Sequence, residues 1–143
     1  MLFAAVVADA NVLLSAAIGK AALKVMTKYQ IEVHATEFNV AEVEEYLPRL
    51  ISKYRLIDEE VYLHWRVLPI VVHGETYYES EIERARADLA ERDPDDAHPL
   101  ALARSLKIPL WSNDRDLLDL GVDCYDTSRL LGLLEREASP GAP

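Results

Sequence analysis

Leu2-Phe3-Ala4-Ala5-Val6-Val7-Ala8-Asp9 is the stretch that decides the fold. Its apolar residues run from Leu2 to Ala8 without a polar break and stop at a carboxylate. A run of this kind suits a strand buried on both faces of a parallel sheet, where helices cover each side and no polar alternation is needed. A helix is expected next, from about Asn11 or Ser15 to Tyr29. The chain therefore opens strand then helix.

That alternation continues along the sequence. Ile31 to His34 is a short β-prone piece, and Thr36 suits the N-cap of a helix to about Lys53. Phe38, Val40, Val43, Tyr46, Leu47 and Leu50 are expected on its core face, with a kink or break at Pro48. Asp58 is expected to cap a helix to about Val67, and Leu68 to Val72 to form another buried strand. A charged helix from Thr76 to Ala90 and an acid-led helix from Asp93 to Leu106 come before a strand at Ile108 to Trp111. A short helix from Asp114 to Leu120 ends at Gly121; a last strand, Val122 to Tyr125, leads into a helix from about Asp126 to Glu135. Strands separated by helices predict an α/β fold, a three-layer α/β/α sandwich around a central, mostly parallel sheet. One domain is expected over residues 1–135, with a flexible tail over 136–143.

Composition narrows the function. The chain has 143 residues, half of them hydrophobic, which fits one folded domain with a sizeable core. Its 25 acidic and 15 basic residues give a net charge of -10, which argues against gripping nucleic acid by bulk positive charge. Cys124 is the one cysteine, so a disulfide within the chain is impossible and a cysteine-based zinc site is not expected. The apolar N-terminus lacks a basic leader and is interrupted by Asp9 and Asn11, and no run approaches the ~20 residues of a membrane span. The expectation is a cytoplasmic protein that does not enter a membrane.

In parallel α/β sheets, sites form at the carboxyl ends of the strands. Acid lies at each such place. Asp9 ends the first strand, Ile108 to Trp111 runs into Ser112-Asn113-Asp114-Arg115-Asp116, and a helix start offers Asp93, Asp95 and Asp96. Carboxylates brought together at a buried edge repel one another unless a hard divalent cation, Mg²⁺ or Mn²⁺, is shared among their oxygens. No GxxxxGK[ST] or GxGxxG loop is present to cradle phosphate.

Four segments carry a family resemblance. Val7-Ala8-Asp9-Ala10-Asn11-Val12-Leu13-Leu14-Ser15 resembles the opening of a PIN domain. Asn39-Val40-Ala41-Glu42-Val43-Glu44-Glu45-Tyr46-Leu47 resembles the helix that supplies the family's acidic Glu, matched by Glu42. Asp93-Pro94-Asp95-Asp96-Ala97-His98-Pro99-Leu100-Ala101-Leu102-Ala103 resembles the DPDD helix start of one PIN subgroup, with Asp96 at the ligand position. Ile108-Pro109-Leu110-Trp111-Ser112-Asn113-Asp114-Arg115-Asp116-Leu117 resembles the family's strand and T/S-N-D-x-D turn, matched by Asp114 and Asp116. Two positions depart from the pattern: Ser112 stands for the commoner Thr, and His98-Pro99 for apolar or aromatic residues. His98 is placed either at the mouth of the site or towards solvent.

The resemblance implies a Mg²⁺- or Mn²⁺-dependent endoribonuclease that hydrolyses RNA, in many relatives the toxin of a toxin–antitoxin pair. Asp9, Glu42, Asp96 and Asp114 would be the metal ligands, with Asp116 as an outer or second-metal ligand in the catalytic set. Asn11 and Ser112 would orient a carboxylate or water by hydrogen bonding. RNA is the implied substrate, helped by Lys20, Lys24, Arg92 and Arg115, with an antitoxin and a second copy as candidate partners. The stripe Leu13, Leu14, Ile18, Leu23 and Val25 suits either a homodimer face or an ordinary core. A different class of function, a catalytically inactive PIN-like module that binds RNA or protein, fits the same residues. A haloacid-dehalogenase-like phosphatase fits poorly, because Asn11 replaces its second Asp and its Gly-Thr is missing.

Glu42 shares a helical stripe with Phe38 and Tyr46, whereas Glu44 and Glu45 point about 200° and 300° round. His34, His64 and His73 read as structural, Trp65 and Trp111 as core or interface residues, and Cys124 as a buried apolar side chain.

Overall fold

The computed structural model describes residues 5–138, apart from the side chain of Asp116. Five strands form one sheet: β1 (Ala5–Ala8), β2 (Glu32–Thr36), β3 (Ile70–His73), β4 (Leu110–Trp111) and β5 (Cys124–Tyr125). Their order is β3-β2-β1-β4-β5, and every neighbouring pair is parallel. The chain leaves β1 towards β2 on one side and returns to β4 on the other. β1 and β4 thus flank the topological switch point, beyond whose carboxyl ends α/β sheets bind their ligands.

The helices are α1 (Ala10–Ala17), α2 (Ala21–Lys28), α3 (Glu37–Lys53), α4 (Asp58–Val67), α5 (Glu75–Asp88), α6 (Ala97–Leu106) and α7 (Thr127–Ala138). They cover both faces, as the apolar strands require. Val6 and Ala8 of β1 pack with α1, α2, α3, α4 and α7, while Val7, between them, packs with α5 and α6 on the opposite face. Leu110 and Trp111 divide between the two faces in the same way. The expected three-layer sandwich is what forms. Buried from Ala97 to Ala103, α6 is clamped between α5 and the sheet.

Several local expectations are corrected. Residues 1–4 and 139–143 lie outside the described part, and α7 reaches Ala138, so 136–138 are helical rather than tail. The single helix expected to Tyr29 is two. Gly19, at φ +86°, takes the left-handed conformation, and Lys20 N–H bonds back to Ser15 O at 3.0 Å, a Schellman stop. α1 and α2 meet at 88° there; no single described helix is long and apolar enough to cross a membrane. Pro48 does not break α3, which runs on to Lys53; Pro48 and Glu44, whose carbonyl loses its donor, are both exposed, where water can replace the bond. Asp58 is the first residue of α4 rather than its N-cap, which is Ile57.

β3 is an edge strand, and Val71 and Val72 are 42% and 47% exposed, not buried as expected of the LPIVV run. Phe38 and Tyr46 lie outside the core, whose α3 face is made by Val43 and Leu47. The helix expected from Asp93 is preceded by a 3-10 turn, Pro94–Asp96, and the short helix expected from Asp114 to Leu120 is only a 3-10 turn, Arg115–Leu117. Leu13 and Val25 are fully buried, with Leu14, Ile18 and Leu23 packed partly buried against the same core, so the fold itself consumes that stripe.

Candidate active site

Asp9 leaves β1 in extended conformation and becomes the N-cap of α1, its Oδ1 accepting from Val12 N–H at 2.9 Å. Asp9 is buried, 4% exposed as a residue. Its Oδ2 accepts a hydrogen bond from Ser112 Oγ, at the carboxyl end of β4, and the same Oγ accepts from Asp114 N–H at 3.0 Å. Burial pushes the Asp9 carboxyl up, more than the Ser112 hydroxyl and the Val12 amide pull it back, and the charge of Asp114 adds to the rise.

Glu42 reaches the same region from α3. Thr36, at the end of β2, caps that helix by accepting from Asn39 N–H at 2.9 Å, and donates to Asn39 Oδ1 at 2.8 Å. The buried Asn39 amide then donates to Glu42 Oε1 at 2.8 Å, so the carboxylate is aimed by a chain of three side chains. Burial raises the Glu42 carboxyl; the Asn39 amide opposes this, while the charges of Asp95, Asp93 and Asp9 add to it.

Asp96 stands at the start of α6, with Oδ2 buried and accepting no hydrogen bond from a donor. Burial pushes its carboxyl up to about 8, and the hydrogen bond to Asp114 and the charges of Asp114, Asp93 and Asp9 add to the rise. Two carboxyl groups in contact hold a proton or a cation between them; two bare charges there repel.

Asp9, Asn11, Glu42, Asp93, Asp95 and Asp96 line one cavity of about 410 Å³. Asn11 is exposed on this wall, and its backbone N–H bonds to Asp9. Ser112 and Asp114 line a shallower adjoining depression with Arg115 and Arg129, reached across the Asp9–Ser112 and Asp96–Asp114 contacts. The side chain of Asp116 lies outside the described residues, so its expected role has no structural counterpart here. Among the described residues, no three acidic, histidine or cysteine side chains stand arranged to hold a metal ion. Asp9, Glu42 and Asp96 are thus neighbours around one crevice, with Asp114 adjoining it, rather than a closed cage.

Asp93 accepts from Asp95 N–H at 3.0 Å, a capping role. His98 is neither at the mouth nor in solvent. It is buried in α6, hydrogen-bonded through Nδ1 to Tyr78 Oη at 2.8 Å and stacked on Phe38 at 3.9 Å between ring centroids. Burial lowers its imidazole and pushes Tyr78 up to about 12, so the phenol is the donor. His34 bonds to Glu32 and His73, His64 meets Ala17 O, and Trp111 Nε1 donates to Thr127 Oγ1. Cys124 is half-buried, its thiol pushed up to about 11 by burial.

Thr36, Asn39 and Tyr46 are site residues that the sequence reading left without a role there. The T-x-x-N spacing across a strand-to-helix junction signals the Thr36 cap. It does not reveal that Asn39 turns towards Glu42.

A five-stranded parallel sheet with an acidic crevice beyond its switch point defines an α/β protein with a carboxylate site. The chain belongs to the PIN domain family, whose model matches residues 7–135. Its fold is similar to that of a chain from a toxin–antitoxin complex of Klebsiella pneumoniae, with a TM-score of 0.59 and 14% identity over 81% of this chain and 92% of that one. No curated protein matches the sequence.

Proposed function

We propose that this protein is a Mg²⁺- or Mn²⁺-dependent endoribonuclease acting at the crevice of Asp9, Glu42, Asp96 and Asp114. The observation that carries the reading is the Asp96–Asp114 contact, in which a half-buried carboxyl with one buried oxygen lacking a donor adjoins a second carboxylate. An all-oxygen, acidic donor set suits a hard divalent cation, and the electrostatic strain among these groups is what such a cation relieves. Asp9, Glu42, Asp96 and Asp114 would hold it, and Asp116 is the further acid proposed for the catalytic set. A cation bound there supplies an activated water and offsets charge on the scissile phosphate. The chain's own residues hold the site ready for this. Ser112 and the α1 amides fix Asp9, the Thr36–Asn39 pair aims Glu42, and Asn11 is placed on the wall to orient water or a carboxylate.

The family, and the likeness to a chain of a toxin–antitoxin complex, support the toxin of such a pair, with an antitoxin as partner. A second copy is the other partner proposed. Incubating the protein with single-stranded and folded RNA in Mg²⁺, Mn²⁺ or EDTA tests the activity. The expected result is cleavage that needs the divalent ion and is lost in Asp9→Asn. Absence of cleavage, or cleavage indifferent to Asp9→Asn, overturns it.

One observation favours the alternative, a catalytically inactive PIN-like module that binds RNA or protein: no three ligand side chains are in place together among the described residues. Calorimetric titration with Mn²⁺ separates the two, since the inactive module would bind it weakly or not at all.

A further inference from the structure

The crevice has an apolar wall that a cation site does not need. Tyr46 lies one helical turn beyond Glu42 on α3, and with Leu50 and Leu14 it lines the same cavity as Asp9 and Asp96. Val43 and Leu47 make the core contacts of this helix, so the Tyr46 ring, 47% exposed, is left standing beside the acids. The Arg49 guanidinium sits 5.6 Å from the centroid of that ring. A phosphodiester brings a base and a sugar along with its charge. The acids have no use for either, whereas an aromatic face stacks on any base and a guanidinium beside it meets the next phosphate.

We propose that Tyr46 is a substrate-positioning residue that stacks an unpaired base next to the scissile phosphate, so that a base as well as the phosphate is recognised at this crevice. This rests on the nuclease reading above. In a duplex the bases are stacked and paired inside the helix, so the ring can engage a base only in a strand, loop or end. The acidic surroundings add to the need for a platform: phosphate is poorly attracted there, and stacking supplies affinity without positive charge.

The test measures binding of the full chain, in Mn²⁺, to fluorescein-labelled RNA decamers made with phosphorothioate linkages that resist hydrolysis. Three probes are compared: a single-stranded decamer, its abasic counterpart and its duplex. Wild-type protein is expected to prefer the single strand to the abasic decamer by roughly ten-fold or more, the scale of one base–aromatic stack, and to bind the duplex no better than the abasic one. Tyr46→Ala is expected to lose this preference while keeping its affinity for the abasic decamer, and Tyr46→Phe to retain it. Tyr54→Ala serves as the matched control, because Tyr54 is also about half exposed, on the turn after α3, carries Lys53 over its ring and does not line the cavity. Equal loss for both decamers, an unchanged preference in Tyr46→Ala, or no binding of the single strand overturns the proposal. Failure of the nuclease reading is seen separately, as wild-type protein that keeps the preference but cleaves no unmodified RNA.

Discussion

Ser112 Oγ donates to Asp9 Oδ2 across 103 residues of sequence, tying the carboxyl ends of β4 and β1 together at the switch point of the sheet. The same oxygen receives the Asp114 amide, so one hydroxyl fixes the positions of two acids. Its removal is expected to be felt in both stability and metal affinity. Ser112→Ala leaves a buried Asp9 oxygen without its donor, which costs about 1–3 kcal/mol. Urea denaturation measures that loss, and Mn²⁺ titration is expected to show weaker binding. A Ser112→Ala protein as stable as wild type contradicts the arrangement.

Asn39 links the Thr36 cap to Glu42. With Asn39→Ala, Glu42 keeps its charge but loses the group that aims it. Supporting residues of this kind typically change metal affinity by about 10–100-fold when removed. Calorimetry with Mn²⁺ is expected to show a fall on that scale, while circular dichroism confirms that α3 still forms. Unchanged affinity would mean that Glu42 is aimed by something else.

Asp96 sets a pH dependence with a definite sign. Its folded-state value of about 8 lies above the ordinary 3.8, so between those limits the native chain holds a proton that the unfolded chain has released. Unfolding free energy therefore falls as pH rises through that window in the absence of metal. Thermal melts in EDTA are expected to show wild type losing Tm relative to Asp96→Asn from pH 4 to pH 8, with the variant the more stable at the upper end. Adding Mn²⁺ at pH 8 is expected to raise the Tm of wild type by taking over the place of the proton. Parallel Tm profiles for the two proteins would contradict the Asp96–Asp114 contact.

Tyr78 supplies the donor to buried His98, so Tyr78→Phe leaves Nδ1 without its partner. The expected cost is about 1–3 kcal/mol in urea denaturation, with Mn²⁺ affinity retained because neither residue lines the crevice. Loss of metal binding at unchanged stability would place His98 in the site after all.

Much of the fold is legible in the sequence alone. The apolar run ending at Asp9, and the alternation after it, specify the sandwich because a strand with two buried faces needs helices on both. Asp9, Asp96 and Asp114 stand out as acids at strand ends or a helix start, whereas Glu42, in mid-helix, is singled out only by the resemblance of its segment to a family motif. What escaped was decided by tertiary context. Tyr46 lies at the margin of the α3 stripe, and periodicity alone cannot separate the margin from the centre occupied by Val43 and Leu47. Nothing local to LPIVV says that β3 lacks a neighbour on one side. The Ser112–Asp9 bond joins residues too far apart in sequence for any local pattern to pair them. Gly19 was the missed local signal, a helix stop hidden within an apolar stretch long enough for one helix.

The cation site itself is tested most directly by crystals grown with Mn²⁺ and measured for anomalous scattering at the manganese edge. A peak in the crevice with Asp9 and Asp96 or Asp114 as oxygen ligands is the predicted result. An empty crevice at millimolar Mn²⁺, with Asp96 and Asp114 still in contact, would contradict it.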